Sequence, residues 1–367
     1  MKLKKIQLKN FRNYETLELE FSKNIICFTG LNGQGKTNIA EAVSVLGLLS
    51  SFRTVSYSEM IKFGESGFYI SGEFVNNNGR DIEVVISFDG KIKKIMYQNK
   101  RITRFSEMWG KIPIVYLIPD ESLITTGPPA SRRDFFDRMI SLTDADYLHL
   151  LNEYISVIKQ KNKVLSEIKE GRPQAAELIG IYNSKIAADG KGIFEKRTEF
   201  IKKFLPYFTE ILEFISDGLY SGGINYETIM DMHDYGTSLT GLLKEQKDQE
   251  IRRGVSVIGP HKDDFDFLIN GRSLRKYGSK GQHKIFLVAL KLAGTEYIKS
   301  ITDEYPIFVL DDLYSEIDEF KSLKVAKILD KDIQTFITTS NSRIIDQLDK
   351  KVSQLFRVEN GKCTAVF

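Results

Sequence analysis

With two cysteines in 367 residues, the chain has no disulfide framework. Cys27 and Cys363 each lie in an apolar, strand-like run. Both read as small buried hydrophobes in a reducing compartment, not as a bridge or a metal site. An excess of one charge is also missing: 52 Lys and Arg face 49 Asp and Glu, for a formal net charge of +3. That balance is too even to announce nucleic-acid binding by itself, so any DNA contact needs a local basic face. No apolar run approaches the length of a membrane span. Residues 1–8 alternate like a strand and contain no signal-type apolar region, so a cytoplasmic location is expected. Low-complexity tracts and internal repeats are absent. The composition, 42% hydrophobic and 28% charged, is that of a folded protein with room for two or three domains.

The stretch that organises the chain is residues 24–50. An apolar run, Asn24-Ile25-Ile26-Cys27-Phe28-Thr29, leads into Gly30-Leu31-Asn32-Gly33-Gln34-Gly35-Lys36-Thr37, and Asn38 then continues an apolar helical pattern. This is G-x-x-x-x-G-K-[ST] in its proper setting of buried strand, loop and helix. At average residue usage a chain of this length matches the pattern by chance about once in a hundred times. The glycines free the backbone to turn successive N–H groups into a phosphate-holding concavity, and the helix that follows points its positive end at the same phosphates. Lys36 is expected to reach the β- and γ-phosphates of ATP, and the Thr37 hydroxyl to ligate Mg²⁺.

Around this stretch, residues 3–9 and 15–21 read as strands, and 68–75, 81–88 and 92–97 as an antiparallel meander turning at Asn76-Asn77-Asn78-Gly79 and Asp89-Gly90. Residues 112–119 read as a buried strand. From 131 to about 169 the chain is almost free of Gly and Pro. Its apolar positions recur at helical spacing, and a second helical tract follows Gly171-Arg172-Pro173. Together they predict an antiparallel helical hairpin whose second arm Pro206 kinks or splits. The strand–helix mixture returns at 224–232, 238–252, 255–258, 265–269 and 282–299, and further strands are expected at 333–338, 353–358 and 362–367. The expected architecture is an α/β nucleotide-binding body, residues 1–125 and 221–367, split by a mostly helical insertion at 126–220.

Ile307-Phe308-Val309-Leu310-Asp311-Asp312 supplies what the loop lacks. Four apolar residues ending in two acids describe a central parallel strand. One carboxylate, assigned to Asp311, can hold Mg²⁺. The next, Asp312, can orient or deprotonate an attacking water. About thirty residues earlier, Gly278-Ser279-Lys280-Gly281-Gln282-His283 opens a helix, a second arrangement suited to an anion. Lys91-Ile92-Lys93-Lys94 and Lys100-Arg101-Ile102-Thr103-Arg104 are basic clusters able to meet phosphates or simply to form a solvated strand edge.

The motifs at 30–37, 279–282 and 307–318 resemble those of the ABC-type ATPase superfamily. Within it, the chain resembles the RecF family of bacterial recombinational-repair ATPases. That resemblance is carried by Leu8-Lys9-Asn10-Phe11-Arg12-Asn13-Tyr14, the loop 30–37, Ser51-Phe52-Arg53-Thr54, residues 127–137 with Arg132-Arg133, Gly259-Pro260-His261-Lys262-Asp263-Asp264, and residues 310–318. It implies an ABC-type P-loop ATPase head, a mixed sheet plus an antiparallel β subdomain, with the helical insertion as an arm in place of a long coiled coil. It implies an ATP-sandwiched homodimer in which Ser279, Gly281 and Gln282 of one copy cap the γ-phosphate held by the other, with Arg12 and Arg53 near the nucleotide. It implies DNA binding near single-strand/double-strand junctions, weak DNA-stimulated ATP hydrolysis, and RecR and RecO as partners in loading recombinase on gapped DNA during repair, replication restart and the SOS response. Some positions depart from the transporter branch. Its Leu-Ser-Gly-Gly-Gln appears as residues 278–282, its Glu after the Mg-binding acid is Asp312, no glutamine loop stands near 117–121, and Thr338-Thr339-Ser340-Asn341 occupies the place of its switch histidine. The shorter acid implies slow turnover. Two other readings compete: the nucleotide-binding subunit of an ABC transporter, and a P-loop small-molecule kinase with no role for Ser279 in trans.

Overall fold

The computed structural model describes residues 1–172, 176–312, 324, 325, 327–329, 332–341 and 353–367. The chain divides into two compact units. The first is Met1–Ser122 with Glu210–Tyr220 and Lys280–Phe367, the second Leu123–Thr209 with Ser221–Ser279.

In the first unit the chain opens with strands β1 (Lys2–Phe11), β2 (Tyr14–Glu20) and β3 (Ile25–Thr29), then helix α1 (Lys36–Leu48). Strands β4 (Phe68–Val75), β5 (Asp81–Phe88), β6 (Lys93–Tyr97), β7 (Lys100–Ile102) and β8 (Ile114–Leu117) follow. Strand alternation does what the sequence predicts. The registers Leu17↔Leu8, Leu8↔Ile70, Ile70↔Ile86, Ile86↔Ile95 and Ile95↔Ile102 lay one row of aliphatic side chains across a six-stranded antiparallel sheet, β2-β1-β4-β5-β6-β7. Helix α1 carries apolar residues on every side, and Ile39, Ala40, Ala42, Val43, Val45 and Leu46 are all fully buried. A helix with no polar face must be enclosed, and one hydrophobic core joins α1 to this sheet and to the strands of a second.

The second unit contains α2 (Leu123–Thr126), α3 (Pro129–Thr143), α4 (Ala145–Lys169), most of α5 (Leu178–Ser216), β9 (Gly222–Glu227), α6 (Tyr235–Glu245), α7 (Lys247–Arg253), β10 (Asp264–Ile269), β11 (Arg272–Ser273) and α8 (Leu274–Tyr277). α4 and α5 form the expected antiparallel hairpin. Ile179 packs with Val164 and Leu165, Lys185 lies 3.9 Å from Glu153, and Lys196 lies 2.7 Å from Asp144. Pro206 does not split α5, which runs through it unbroken.

Two expectations are corrected here. Residues 221–279, assigned by sequence to the nucleotide-binding body, belong by compactness to the helical unit. The reason is aromatic packing: the ring centre of Phe265 of β10 lies 4.2 Å from that of Phe136 of α3, the two rings tilted, and the ring centre of Tyr226 of β9 lies 5.5 Å from that of Phe194 of α5. Residues 255–258 are not a strand. The Ser256 N–H donates to Asn162 Oδ1 and the Val257 N–H to Glu250 Oε1, so side chains take the bonds that a ladder would need.

The chain then returns to the first unit with α9 (Lys280–Thr302), β12 (Ile307–Asp311), β13 (Thr335–Thr339), β14 (Ser353–Glu359) and β15 (Lys362–Ala365). These complete a sheet of order β15-β14-β3-β13-β12-β8, parallel except for β15. β3 sits between β13 and β14, and β12 is one strand further on. Residues 313–318, part of the sequence motif that follows Asp312, lie outside the described residues.

Candidate nucleotide-binding site

Ligands of parallel sheets bind beyond the carboxyl ends of the strands, and the candidate residues converge there. The loop leaves β3 at Thr29. Two glycines in it are required by geometry. Gly30 has φ +152, and a Cβ there would meet the Val358 carbonyl oxygen at 2.3 Å. Gly35 has φ +114, and a Cβ would stand 2.5 Å from Asn13 Nδ2. The loop is held from outside by its neighbours. Asn13 Nδ2 donates to Gln34 O at 2.9 Å, Tyr14 Oη to Gly35 O at 3.0 Å, and the Asn360 N–H to Gln34 Oε1 at 2.6 Å.

Lys36 is 6% exposed, and its ammonium donates to Gly30 O at 2.8 Å and Leu31 O at 2.9 Å, so it arches over the loop. Burial pushes its pKa below the ordinary lysine value, while Asp312 and Asp311 pull it back up. Thr37, the next residue, donates its hydroxyl to Asp311 Oδ1 at 2.8 Å. The same carboxylate oxygen accepts from Thr338 Oγ1 at 2.5 Å, in agreement with the register Asp311↔Thr338. Asp312 adopts φ +49, a left-handed conformation that Asp tolerates better than most residues. Its N–H donates to both Thr338 O and Thr338 Oγ1 at 3.1 Å. Lys36, Thr37, Asp311 and Asp312 therefore lie together at this end of the sheet.

Arg12 and Arg53 also come to the loop's edge, through a residue the sequence reading missed. Glu41 of α1 is fully buried. Arg12 grips it with both Nε (2.8 Å) and Nη2 (2.5 Å), Ser51 Oγ donates to it, and Arg53 Nη1 lies 3.6 Å away. Arg53 Nη1 also donates to Asn38 Oδ1 at 2.9 Å. A lone acid in an otherwise apolar helical turn was the available signal. Thr338, which the sequence marked only as part of 338–341 and without a role, bonds both acids through its hydroxyl.

Of the other candidates, Gly281 and Gln282 open α9 in the first unit, Gly281 exposed and Gln282 half-buried. Exposed Ser279 is the last residue of the second unit. At 117–121 the side chain of Glu121 receives Lys291 of α9, whose ammonium also sits 4.7 Å from the centre of the Tyr116 ring. His261 lies in the second unit, hydrogen-bonded through Nδ1 to Tyr154 Oη at 2.6 Å. Nearby, Arg132 pairs with Asp264 at 2.7 Å and Arg133 Nη1 donates to Asp263 O at 2.6 Å. These bonds account for the motifs at 127–137 and 259–264 as mutual supports.

The donor set suits Mg²⁺, a hard cation that takes oxygen ligands and needs only one or two carboxylates. The Thr37 hydroxyl and Asp311 carboxylate provide such oxygens side by side. Among the described residues, no cluster of three His, Cys, Asp or Glu side chains competes for a metal, and no helix is long and apolar enough to cross a membrane.

A P-loop strand between two parallel neighbours, an acid pair on the next strand but one, and an antiparallel sheet across the P-loop helix define an ABC-type ATPase fold. The chain belongs to the RecF/RecN/SMC N-terminal domain family, which it matches over residues 2–364. A protein of Ligilactobacillus salivarius named DNA replication and repair protein RecF is 34% identical, over 99% of this chain and 97% of its own. The protein of the same name from Listeria welshimeri is also 34% identical, over 98% and 99%. The solved structure of the recombination mediator protein RecF with ATP, in the RecFOR pathway, superposes with a TM-score of 0.88 at 28% identity, over 100% of this chain and 97% of that one. An Smc head bound to the C-winged helix domain of ScpA shares the fold, with a TM-score of 0.60 at 16% identity, over 99% and 96%.

Proposed function

We propose that this chain is an ATP-dependent DNA-binding protein of recombinational repair, in which ATP binding closes a homodimer and hydrolysis reopens it. The observation that carries the reading is the convergence of Thr37 and Thr338 on one oxygen of Asp311, whose charge also acts on Lys36. The full-length likeness to proteins named RecF, one of them solved with ATP, favours this reading over a transporter's nucleotide-binding subunit.

The roles follow from chemistry. The backbone N–H groups of Gly30, Leu31, Asn32, Gly33, Gln34 and Gly35 cradle phosphate oxygens, and Lys36 swings from the loop carbonyls to the β- and γ-phosphates. Thr37 and Asp311 would hold Mg²⁺, which would offset negative charge on the phosphates. Asp312, fixed in its left-handed turn by Thr338, orients the attacking water. Asn38 and Arg12 flank the loop, and Ser279, Gly281 and Gln282 of the second copy cap the γ-phosphate. A ligand shared between copies binds only the closed dimer and so pulls the equilibrium toward it. We further propose slow, DNA-stimulated turnover in the cytoplasm, binding at gapped or junction DNA, and RecR- and RecO-type partners in recombinase loading during repair, replication restart and the SOS response.

The test is light scattering with and without ATP. The wild type should dimerise with ATP and Lys36→Met should not; an ATP-induced dimer that survives Lys36→Met refutes the model. Mixing Lys36→Met with Ser279→Arg should restore part of the turnover each lacks alone, since one composite site of the mixed dimer is intact. Unchanged turnover in Ser279→Arg alone removes the sandwich.

A further inference from the structure

Ser279 follows a helix of only four residues, α8. An isolated single turn is unstable in water, so the direction in which Ser279 points is set by whatever holds that turn. Leu274, its first residue, is fully buried, and just before it Ser273 Oγ donates to Asp266 Oδ1 at 2.8 Å. The Gly278 N–H closes the turn on Leu274 O at 2.8 Å. The remaining tether is ionic. Arg275, 42% exposed, lies 4.0 Å from Oδ2 of Asp264, at the end of β10 away from its hairpin with β11. Asp264 is itself held fast. Arg132 of α3, 3% exposed, grips it twice, Nε to Oδ1 at 2.7 Å and Nη2 to Oδ2 at 2.8 Å, and donates Nη1 to the Gly127 carbonyl. The Phe265 N–H also donates to Oδ1, at 2.7 Å. Beside it, Arg133 Nη1 donates to the Asp263 carbonyl, and the Asp263 carboxylate gathers the hydroxyls of Tyr226, Thr228 and Tyr235. Residues 263–264 are therefore a fixed point of the second unit, since bidentate and buried charge pairs are the strongly held ones. Arg132 alone neutralises Asp264, so the carboxylate does not need Arg275 for its charge. What Arg275 adds is a link from that fixed point to α8.

We propose that Asp264, locked by Arg132 and acting through Arg275, is a positioning residue: it sets the direction in which α8 presents Ser279 to the γ-phosphate held by a second copy. The inference rests on the two-copy reading above and adds to it the point from which the cap is aimed. A tether that only stabilised the unit would move melting and leave ATP-dependent pairing unchanged. A tether that aims Ser279 moves pairing, and loses its effect once the Ser279 hydroxyl is gone.

The experiment is a double-mutant cycle on the full chain: wild type, Arg275→Ala, Ser279→Ala and the two combined, with Arg275→Lys and Asp264→Asn alongside. Light scattering over a range of protein concentrations reads ATP-induced dimerisation, steady-state hydrolysis with Mg²⁺ reads kcat, and thermal melting reads folding. Arg275→Ala removes a half-exposed side chain and should melt as the wild type does. It should nevertheless need about fivefold more protein to dimerise with ATP and turn over about fivefold more slowly, the upper end for a half-exposed ion pair. Arg275→Lys should recover most of that loss because the charge remains. Added to Ser279→Ala, Arg275→Ala should bring no further loss. Asp264→Asn should lose at least as much as Arg275→Ala; if it fails to fold, the cycle at 275 and 279 decides alone. Arg275→Ala indistinguishable from the wild type overturns the inference, as does a folded Asp264→Asn protein that pairs normally. A loss that adds in full to that of Ser279→Ala overturns it too, because Arg275 would then be an independent contact. Ser279→Ala that dimerises and turns over as the wild type does overturns the two-copy reading itself.

Discussion

Replacing Thr338 by valine tests the chemistry of the site with little change of shape. Thr338 is 1% exposed, and its hydroxyl does two things at once: it donates to Asp311 Oδ1 at 2.5 Å and accepts from the Asp312 N–H at 3.1 Å. Valine deletes both. Asp311 keeps its bond from Thr37, and the Asp312 N–H keeps the Thr338 carbonyl, so each acid loses part of its support and neither is orphaned. A hydrogen bond to a charged group contributes about 1.5–3 kcal/mol. At about 1.4 kcal/mol per decade of rate, the expected loss in kcat is roughly ten- to a hundredfold if the brace acts in the transition state. The assay is steady-state ATP hydrolysis with Mg²⁺ for the wild type, Thr338→Val and Thr338→Ser, with urea unfolding of each protein as the control for folding. Serine keeps the hydroxyl and should recover most of the rate. A folded Thr338→Val protein turning over within twofold of the wild type refutes the argument that Thr338 braces the acids.

Three further outcomes are expected. Gly30→Ala places a methyl 2.3 Å from Val358 O in a backbone conformation hostile to side chains, so urea unfolding should show a loss of about 1–3 kcal/mol, with nucleotide binding abolished. Lys161 and Glu250 form a fully buried pair at 2.6 Å. Lys161→Met should cost about 3–5 kcal/mol, and the double variant Lys161→Met/Glu250→Leu should be more stable than Lys161→Met alone; additive losses in urea would contradict this. His261 has its pKa pushed down to about 3, chiefly by burial. The folded state then binds fewer protons than the unfolded one below about pH 6.5, and stability present at neutral pH is lost as pH falls toward the folded value. That amounts to about 2 kcal/mol between pH 7 and pH 5, and His261→Gln should flatten the slope by that amount in urea titrations at the two pH values. Asp263, whose pKa burial raises, works in the opposite sense at lower pH.

The legible parts of the fold were those whose cause is local. The meander at 68–97 announces itself by alternation between Asn-Gly and Asp-Gly turns, and the loop 30–37 by glycines that no other residue could replace at positions 30 and 35. Asp311 was legible because four apolar residues run straight into it. What escaped depends on partners far away in the chain. Residues 255–258 have the apolar composition of a strand, but their N–H groups go to Asn162 and Glu250, one of them almost a hundred positions distant. The allegiance of β9 and β10 was decided by rings on α3 and α5, which no local pattern records. Glu41 and Thr338 share that cause: Glu41 matters for Arg12 and the turn at 51–53, Thr338 for Asp311 and Asp312, and the pairing is not recorded in a motif of fixed spacing.

The position of β3 between β13 and β14 has a consequence for how the protein is made. Both neighbours of the P-loop strand come from the last forty residues of the chain, as do Val358 and Asn360, which shape the loop itself. While the ribosome is still translating, the emerging glycine loop therefore has no flanking strands to set it. The candidate site cannot be assembled until residues 335–360 have been made, so chains terminated before them should not bind ATP.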